Sequence, residues 1–536
     1  MFRKIAWVLI LGAVLSAIGE LCSLKLPTLR WGFETSREIA WLHWNIGTKA
    51  EPNIIPWLGW LGVAFALLVG VGLLIKFPRN FHFTPITQRR IDRFCSIKRG
   101  YRAFLFILFL AGLASLDHLI VGNEPLILKY DGKWSSPALT YTSHKGKDFG
   151  LTGEAGVSPV NYRKLKKIFK TQGGDNWVMM PPVPYAPTQD TVTVPTQALK
   201  VNDDGLMLIP GGRKPYSGQA AKIYDLDDPG RMHLRYRYRH GLKDGPAEGW
   251  DSKNNRIYST IYIKGEMVLG AEKWSGDGDM NAFLNQASSE MSVIYYAPSP
   301  PSFKMGHLLG TTSQGYDVLA YLFGGLQVNF KASLFYIPCI YAIGITIGLL
   351  MGFFGGVFDL VVQRLIEVFS NIPFLFVIII VSSSVPVQLR ERSGLGVILV
   401  ILILFSWMGM TYLMRTAALK EKSRDYVAAS RVIGCSTPRI IFKHILPNAV
   451  AILVTLVPFS VSGLIMGLTS LDYLGFGLPP KYATWGSLLK DGLGQLSAPW
   501  LVSSAFLCLV SLLILVTFVG EAVREAFDPK KFTYYK

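Results

Sequence analysis

Charge is scarce in this chain of 536 residues: 17% are Asp, Glu, Lys or Arg, 50% are hydrophobic, and the mean hydropathy is +0.32. That balance argues against a purely soluble protein, although the length alone would allow two or three soluble domains. Cysteine is sparse too. Cys22, Cys95, Cys339, Cys435 and Cys508 are scattered without a CxxC or any metal-type spacing. Three of them fall in or beside apolar stretches, where cysteine behaves as a small hydrophobe, so none is assigned a role. No G-x-x-x-x-G-K-[ST] occurs, which excludes a Walker loop to cradle ATP phosphates. No internal repeat is present either, whereas many ion-coupled carriers show repeated halves.

What the chain has in quantity is long apolar sequence. About 30 Å of hydrocarbon takes roughly 20 helical residues to cross. Eight runs approach that length: Ile5–Cys22, Trp57–Ile75, Ala103–Val121, Ala332–Val357, Phe374–Pro386, Leu395–Leu413, Ala449–Leu471 and Trp500–Val519. The fifth is the shortest. They predict an all-α polytopic membrane protein. Arg3 and Lys4 ahead of the first run suit a signal peptide, but Glu20-Leu21-Cys22 is a poor cleavage site, so a retained span is expected.

The net charge of +18 fits cytoplasmic anchoring loops better than nucleic acid. After the second run, Lys76, Arg79, Arg89, Arg90, Arg93, Lys98, Arg99 and Arg102 face a single acid, Asp92, which places that loop in the cytoplasm. Alternation then puts both termini inside and residues 122–331 outside. Lys420, Lys422, Arg424, Arg431, Arg439 and Lys443 agree, as do Arg524, Lys530, Lys531 and Lys536; Arg390 and Arg392 disagree. The expected organisation is a two-helix membrane hairpin over 1–90, a first core helix over 91–121, an extracytoplasmic insertion over 122–331, and five further spans over 332–536.

The insertion is too long and too aromatic for a disordered linker. In Asn255–Val268, Ile257, Ser259, Ile261 and Ile263 alternate with other residues as in a half-buried strand. In His233–His240 basic residues alternate with aromatic ones, which suits an exposed sheet face or an edge strand. About 130–300 therefore reads as a strand-containing domain. An enzymatic reading would have to use His144, His233, His240, Asp203, Asp204, Asp225, Asp227 or Asp228, yet none stands in an H-E-x-x-H, G-x-S-x-G or recognisable metal spacing. Asp225–Gly230 has carboxylates suited to calcium, or to a solvated turn. An ion-coupled carrier or channel would draw on Asp117, His118 or Glu521, which lie near predicted span ends.

The polar stretch Asp425–Asn448 stands between two apolar runs. It reads as two short helices around a break. Ala428 and Ala429 allow close approach, Gly434 supplies a left-handed cap, Thr437 suits an N-cap and Pro438 the first helical position. Pro447 marks a turn into the next span. Such a unit could dock on a soluble partner, or lie at the headgroups as an ordinary amphipathic loop.

The stretch resembles the EAA loop of ABC-importer permeases, through Ala428-Ala429-Ser430, Gly434 and Leu446-Pro447. The motif's glutamate is replaced by Ala428, with Asp425 one turn earlier. Gly352–Pro373, Leu471–Gly492, Ser497–Trp500 and Gly520–Lys531 resemble the oligopeptide/dipeptide class. Leu309–Gly325 resembles its L-G-T-D-x-x-G-R-D-V segment, with Thr312 and Tyr316 replacing the acid and the base. Arg93–Leu110, Pro125–Leu139, Asp148–Gly150 and Asn176–Tyr185 are similar to the Yej-like subtype, which is implied to import peptides and peptide-linked antibiotics such as microcin C. The likeness covers roughly 93–190 and 300–536.

The resemblance implies a C-type permease subunit of the bacterial inner membrane with a type I core of six spans and no cofactor. It implies a sister permease, two cytoplasmic ATPases and an external peptide-binding protein as partners. It assigns Asp425, Tyr426, Ala428, Ala429, Gly434, Ser436, Pro438 and Arg439 to an ATPase-coupling loop at 419–448.

Overall fold

Helices dominate because backbone amides in hydrocarbon have no water to bond and must pair within their own segment. The computed structural model describes residues 2–527 apart from 28, 39–43, 46–53, 77–84, 142–143, 152–153, 158, 189–195, 203, 210–213, 224–231, 252–254, 277–278, 289–290, 295–296 and 304–305. Arg79, Asp203, Asp225, Asp227, Asp228, Lys530, Lys531 and Lys536 lie outside the described residues. The chain divides into two units. A helical unit takes Met1–Thr188, Ala320–Lys490 and Ser503–Lys536; a sheet unit takes Gln189–Leu319 and Asp491–Val502.

In the helical unit, α1 (Phe2–Leu21), α2 (Trp31–Glu38) and α3 (Trp57–Lys76) precede α4 (Pro85–Ser96) and α5 (Lys98–Ser115). A small antiparallel sheet follows, in the order β2 (Lys133–Ser135), β1 (Ile127–Tyr130), β3 (Trp177–Met179). Its Leu128 and Val178 bury against Tyr162, Leu165 and Phe169 of α6 (Tyr162–Gln172). In the sheet unit lies α7 (Met280–Ser288). Then come the remaining helices: α8 (Val318–Phe354), α9 (Gly356–Ser370), α10 (Phe374–Ser384), α11 (Val387–Lys422), α12 (Asp425–Val432), α13 (Thr437–Leu474), α14 (Trp485–Gly494) and α15 (Pro499–Phe527).

Among the described residues four helices are long and apolar enough to cross a membrane, or five if the pair α9 and α10 is one span. This differs from the eight runs in three ways. The fifth run is only one arm of that pair, which is bent by 83°. Pro373 stands at the break and brings no N–H to continue the helix. The first two runs give shorter apolar helices, Ala6–Leu21 and Gly59–Ile75. The third run stops at Ser115, and Lys98, Arg99 and Arg102 open its helix with charge.

Lipid tails are as apolar as leucine, so helices in a bilayer associate through close packing rather than hydrophobic exclusion. Gly344, Gly348 and Gly352, spaced four apart on α8, provide that packing against α11. A Cβ at Gly348 would stand 2.5 Å from the Thr411 carbonyl oxygen, and one at Gly352 2.5 Å from that of Arg415. Arg415 then donates both Nε and Nη2 to Asp359 of α9, at 2.5 and 2.6 Å. This fork-on-fork pair fixes α9 against α11 with direction as well as energy.

Among the described residues the sheet unit holds a nine-stranded sheet, made of β4 (Thr196–Ala198), β5 (Gly218–Ile223), β6 (Met232–Arg239), β7 (Leu242–Lys243), β8 (Gly245–Trp250), β9 (Arg256–Ile263), β10 (Glu266–Met267), β11 (Lys273–Trp274) and β12 (Ser292–Ile294), beside a separate pair, Lys200–Val201 with Met207–Leu208. The order is β10-β9-β8-β6-β5-β12-β4, with β7 on β6 and β11 on β9. β6 is therefore an interior strand rather than an edge. Its aromatic face is inside: Leu234, Tyr236 and Tyr238 bury with Tyr258 of β9. That choice exposes Ile261 and Ile263 on the opposite face of β9. The tyrosine rings offer more area to bury than the isoleucines, and their edge-to-face contacts add to it.

The glycine row makes a testable demand. Gly348→Ala should destabilise the helical unit by about 1–3 kcal/mol through overpacking, whereas Gly467→Ala on α13, where a Cβ meets nothing within 4 Å, should be neutral or stabilising. Thermal unfolding of both variants in detergent, beside the parent, checks it.

Candidate functional site

The polar stretch after α11 folds as a helix, a tight turn and a second helix. α12 closes with a Schellman arrangement. Cys435 N–H donates to the Ser430 carbonyl and Gly434 N–H to the Arg431 carbonyl, both at 3.0 Å. Gly434 sits at φ +79°, where any residue with a Cβ is strained. The reverse turn at this point is thus a backbone requirement.

The restart differs from expectation by one residue. Ser436 is the N-cap, because it holds the extended φ −62°, ψ 145° that the position needs; Thr437 is already helical and Pro438 follows inside the first turn. The second helix is not short. It runs on through a π-turn over Ile440–Ile445 and continues as α13 to Leu474. Pro447 therefore does not turn the chain. In a regular α-helix it would leave a carbonyl without its donor; here the wide turn before it alters the register. Asn448 Nδ2 reaches back to the His444 carbonyl at 3.1 Å.

One face of the unit is rooted in the bundle. Val427, Ile440, Ile441 and Ile445 bury against Leu349 and Phe353 of α8 and Ala418 of α11. Arg431 lies over the Phe353 ring at 5.1 Å. Tyr426 is the polar pin: its hydroxyl donates to Glu421 at 2.7 Å and accepts from Asn448 at 3.0 Å. Burial, and then the Glu421 carboxylate, hold the Tyr426 phenol above its usual range. Asp425, Ala428, Ala429, Gly434, Ser436, Pro438 and Arg439 are all exposed, and Tyr426 is half-buried.

The eight expected residues thus lie on one short unit. Two that sequence reasoning passed over stand at its tip: Val432 and Ile433 are 88% and 80% exposed. Two β-branched apolar residues directly before a capping glycine were the available signal. A surface that is apolar at the tip and small at Ala428 and Ala429 suits a groove on another protein.

The other candidates are tied into the structure. Asp117 accepts from Gln327 Nε2 at 2.9 Å and pairs with Arg30 at 3.3 Å, linking α5, α8 and the segment before α2. Glu521 stands 3.6 Å from Arg99. His233 is buried edge-on to Phe283 of α7, with ring centres 4.6 Å apart. His144 lies against Phe149, and His240 turns the chain between β6 and β7. Asp204 closes a turn with Asn202. Among the described residues no three His, Cys, Asp or Glu side chains gather as a metal site would require. Thr312 and Tyr316, standing where the resemblance expected an acid and a base, are joined instead by Tyr316 N–H to the Thr312 hydroxyl at 3.1 Å.

Residues 344–533 match the family described as binding-protein-dependent transport system inner membrane component. The peptidoglycan transport system permease protein YejE of Agrobacterium fabrum strain C58 is 29% identical over 470 residues, covering 88% of this chain and 99% of its own. The inner membrane ABC transporter permease protein YejE of Escherichia coli strain K12 is 31% identical over 448 residues, 84% of this chain and 98% of its own. The dipeptide transport system permease protein DppC of Lactococcus lactis subsp. cremoris is 31% identical over 287 residues, 53% and 79%. The first two alignments are longer than 93–190 and 300–536 together, so they reach into segments that the resemblance left uncovered.

Two substitutions probe how firmly the unit is held. Gly434→Ala should cost about 1–2 kcal/mol from the left-handed backbone, and Tyr426→Phe about 1 kcal/mol from the lost hydroxyl bonds. Deuterium uptake over 425–436 should rise in both. Uptake equal to the parent would show that neither contact holds the turn.

Proposed function

The chain belongs to the inner-membrane permease family of binding-protein-dependent ABC transport systems, and on that premise we propose that it is the C-type permease of an importer for peptides or peptide-like compounds. The names of its relatives, dipeptide and peptidoglycan permeases, support that cargo. The partners in this reading are a sister permease, two cytoplasmic ATPases and an external peptide-binding protein. Both termini lie in the cytoplasm, and 122–331 is a periplasmic insertion. Arg390, which counts against this orientation, is taken up structurally: its guanidinium donates to the carbonyls of Gly475 and Gly477 at 3.3 and 3.0 Å.

One observation carries the mechanism. The unit 425–439 presents Val432 and Ile433 outward while its other face is rooted on α8, α11 and α13. An ATPase gripping that tip moves three spans rather than a loop. ATP-driven closure of the ATPase pair shifts the unit, the attached helices rock, and the path between the two permeases opens outward; hydrolysis returns them. The shift in equilibrium equals the difference in ATPase contact energy between the two states. Asp425, Ala428, Ala429, Ser436, Pro438 and Arg439 surround the tip, and Tyr426 and Gly434 keep its shape.

The chain purified from its native membrane in mild detergent should bring down a second permease and a Walker-loop ATPase, identified by mass. Ile433→Asp should reduce the recovered ATPase on the order of thirtyfold, the size of an interface hot spot, and leave the sister permease. Recovery of the parent chain alone, or as a homo-oligomer, would overturn the importer reading. Equal ATPase recovery from the variant would remove the tip from the coupling surface.

A further inference from the structure

Ile97, at φ −81° and ψ 83°, breaks α4 from α5 and turns the chain into its first apolar helix after the basic stretch. One side of α5 is packed. Gly100 lies so close to α15 that a Cβ would stand 2.1 Å from the Ala522 methyl, and Ala103 and Ala114 are buried. The other side is open, and the helical period decides what it shows. Lys98, Arg102, Leu105 and Phe109 fall at i, i+4, i+7 and i+11. Both cations are exposed, and Leu105 and Phe109 are 46% and 57% exposed. The stripe is therefore cationic for its first two turns and apolar beyond them.

The carboxylates nearby are engaged elsewhere. Glu521 faces Arg99 at 3.6 Å, Glu525 faces Arg93 at 3.7 Å, and Asp92 accepts from Gln88 at 2.9 Å. Arg90 lies over the Phe527 ring at 4.9 Å. Among the described residues Lys98 and Arg102 have no ion-pair partner. Helical side chains lean toward the N-terminus, so both cationic heads sit at the outer rim of the apolar stripe, where long basic side chains reach for headgroups.

We propose that this face of α5 is a binding site for an anionic phospholipid, its phosphate held between Lys98 and Arg102 and its acyl chains lying along Leu105 and Phe109. Charge complementarity selects the headgroup, and the apolar stripe continuing directly from the cations selects a lipid over a soluble anion. A zwitterionic lipid brings the same tails with no net charge, so preference between the two reads the electrostatic part alone.

The test uses the full chain, delipidated in detergent, with bound lipid counted by native mass spectrometry. Phosphatidylglycerol should be retained in preference to phosphatidylcholine, and less so as salt rises. Lys98→Gln with Arg102→Gln should weaken phosphatidylglycerol retention about thirtyfold, at about fivefold per cation. Lys98→Arg with Arg102→Lys should keep it, as should Lys166→Gln with Lys167→Gln on the exposed side of α6. Should the Gln pair fail to fold, the salt dependence and lipid preference of the parent chain still decide. Equal retention of the two lipids, indifference to the Gln pair, or displacement of the lipid by millimolar inorganic phosphate would each overturn the proposal.

Discussion

Inside a bilayer the solvent offers neither hydrogen bonds nor a hydrophobic push, so what holds helices together is how closely their backbones approach. In this protein Gly344, Gly348 and Gly352 provide a continuous row of such approach against α11. The row sets the spacing at which Arg415 reaches Asp359, and so where α9 leaves the bundle. It also places Leu349 and Phe353, which lie one residue beyond Gly348 and Gly352, under the buried isoleucines of the polar unit. One line of missing side chains thus positions a span, an ion pair and the exposed tip.

The N-terminal segment is held by different chemistry. Arg30, from the N-terminal segment, and Gln327, from α8, share Asp117 at the end of α5, and Lys331 lies over the Trp31 ring at 4.0 Å. Partly buried charges of this kind lend direction more than net stability, because desolvation offsets much of their attraction. The N-terminal helices are therefore registered on the core by polar contacts, while the core itself is registered by packing.

Much of this was legible beforehand because it depends on local rules. Gly434 at a helix end, small residues at 428 and 429, and apolar runs near 332, 395, 449 and 500 follow from propensity and period. The failures are places where tertiary context outweighed a local rule. Pro447 reads as a stop only if the helix before it is regular, and the π-turn over Ile440–Ile445 removes that condition. Ser436 is the better cap by type, but placing Pro438 at the first helical position points to Thr437; the backbone angles put Pro438 second and Ser436 at the cap. In β9 the isoleucines alternate as a buried face would, but the tyrosines of β6 and β9 take the inside. The exposure of Val432 and Ile433 had only a weak local signal, two β-branched residues before a capping glycine, because apolar residues at a helix end are ordinarily covered by the next element.

α13 is a single helix of 38 residues from the polar unit to the turn that Arg390 braces. At 1.5 Å per residue it is about 57 Å long, which makes it a lever. A tilt of about 5° at one end carries the other through about 5 Å, close to one helical turn. Its stiffness is not uniform, because the π-turn near its root and Pro458 partway along are the points where a helix yields most easily. A push at the root is therefore divided between rotation of the whole rod and bending at those two positions, and the stiffness of the π-turn sets the ratio.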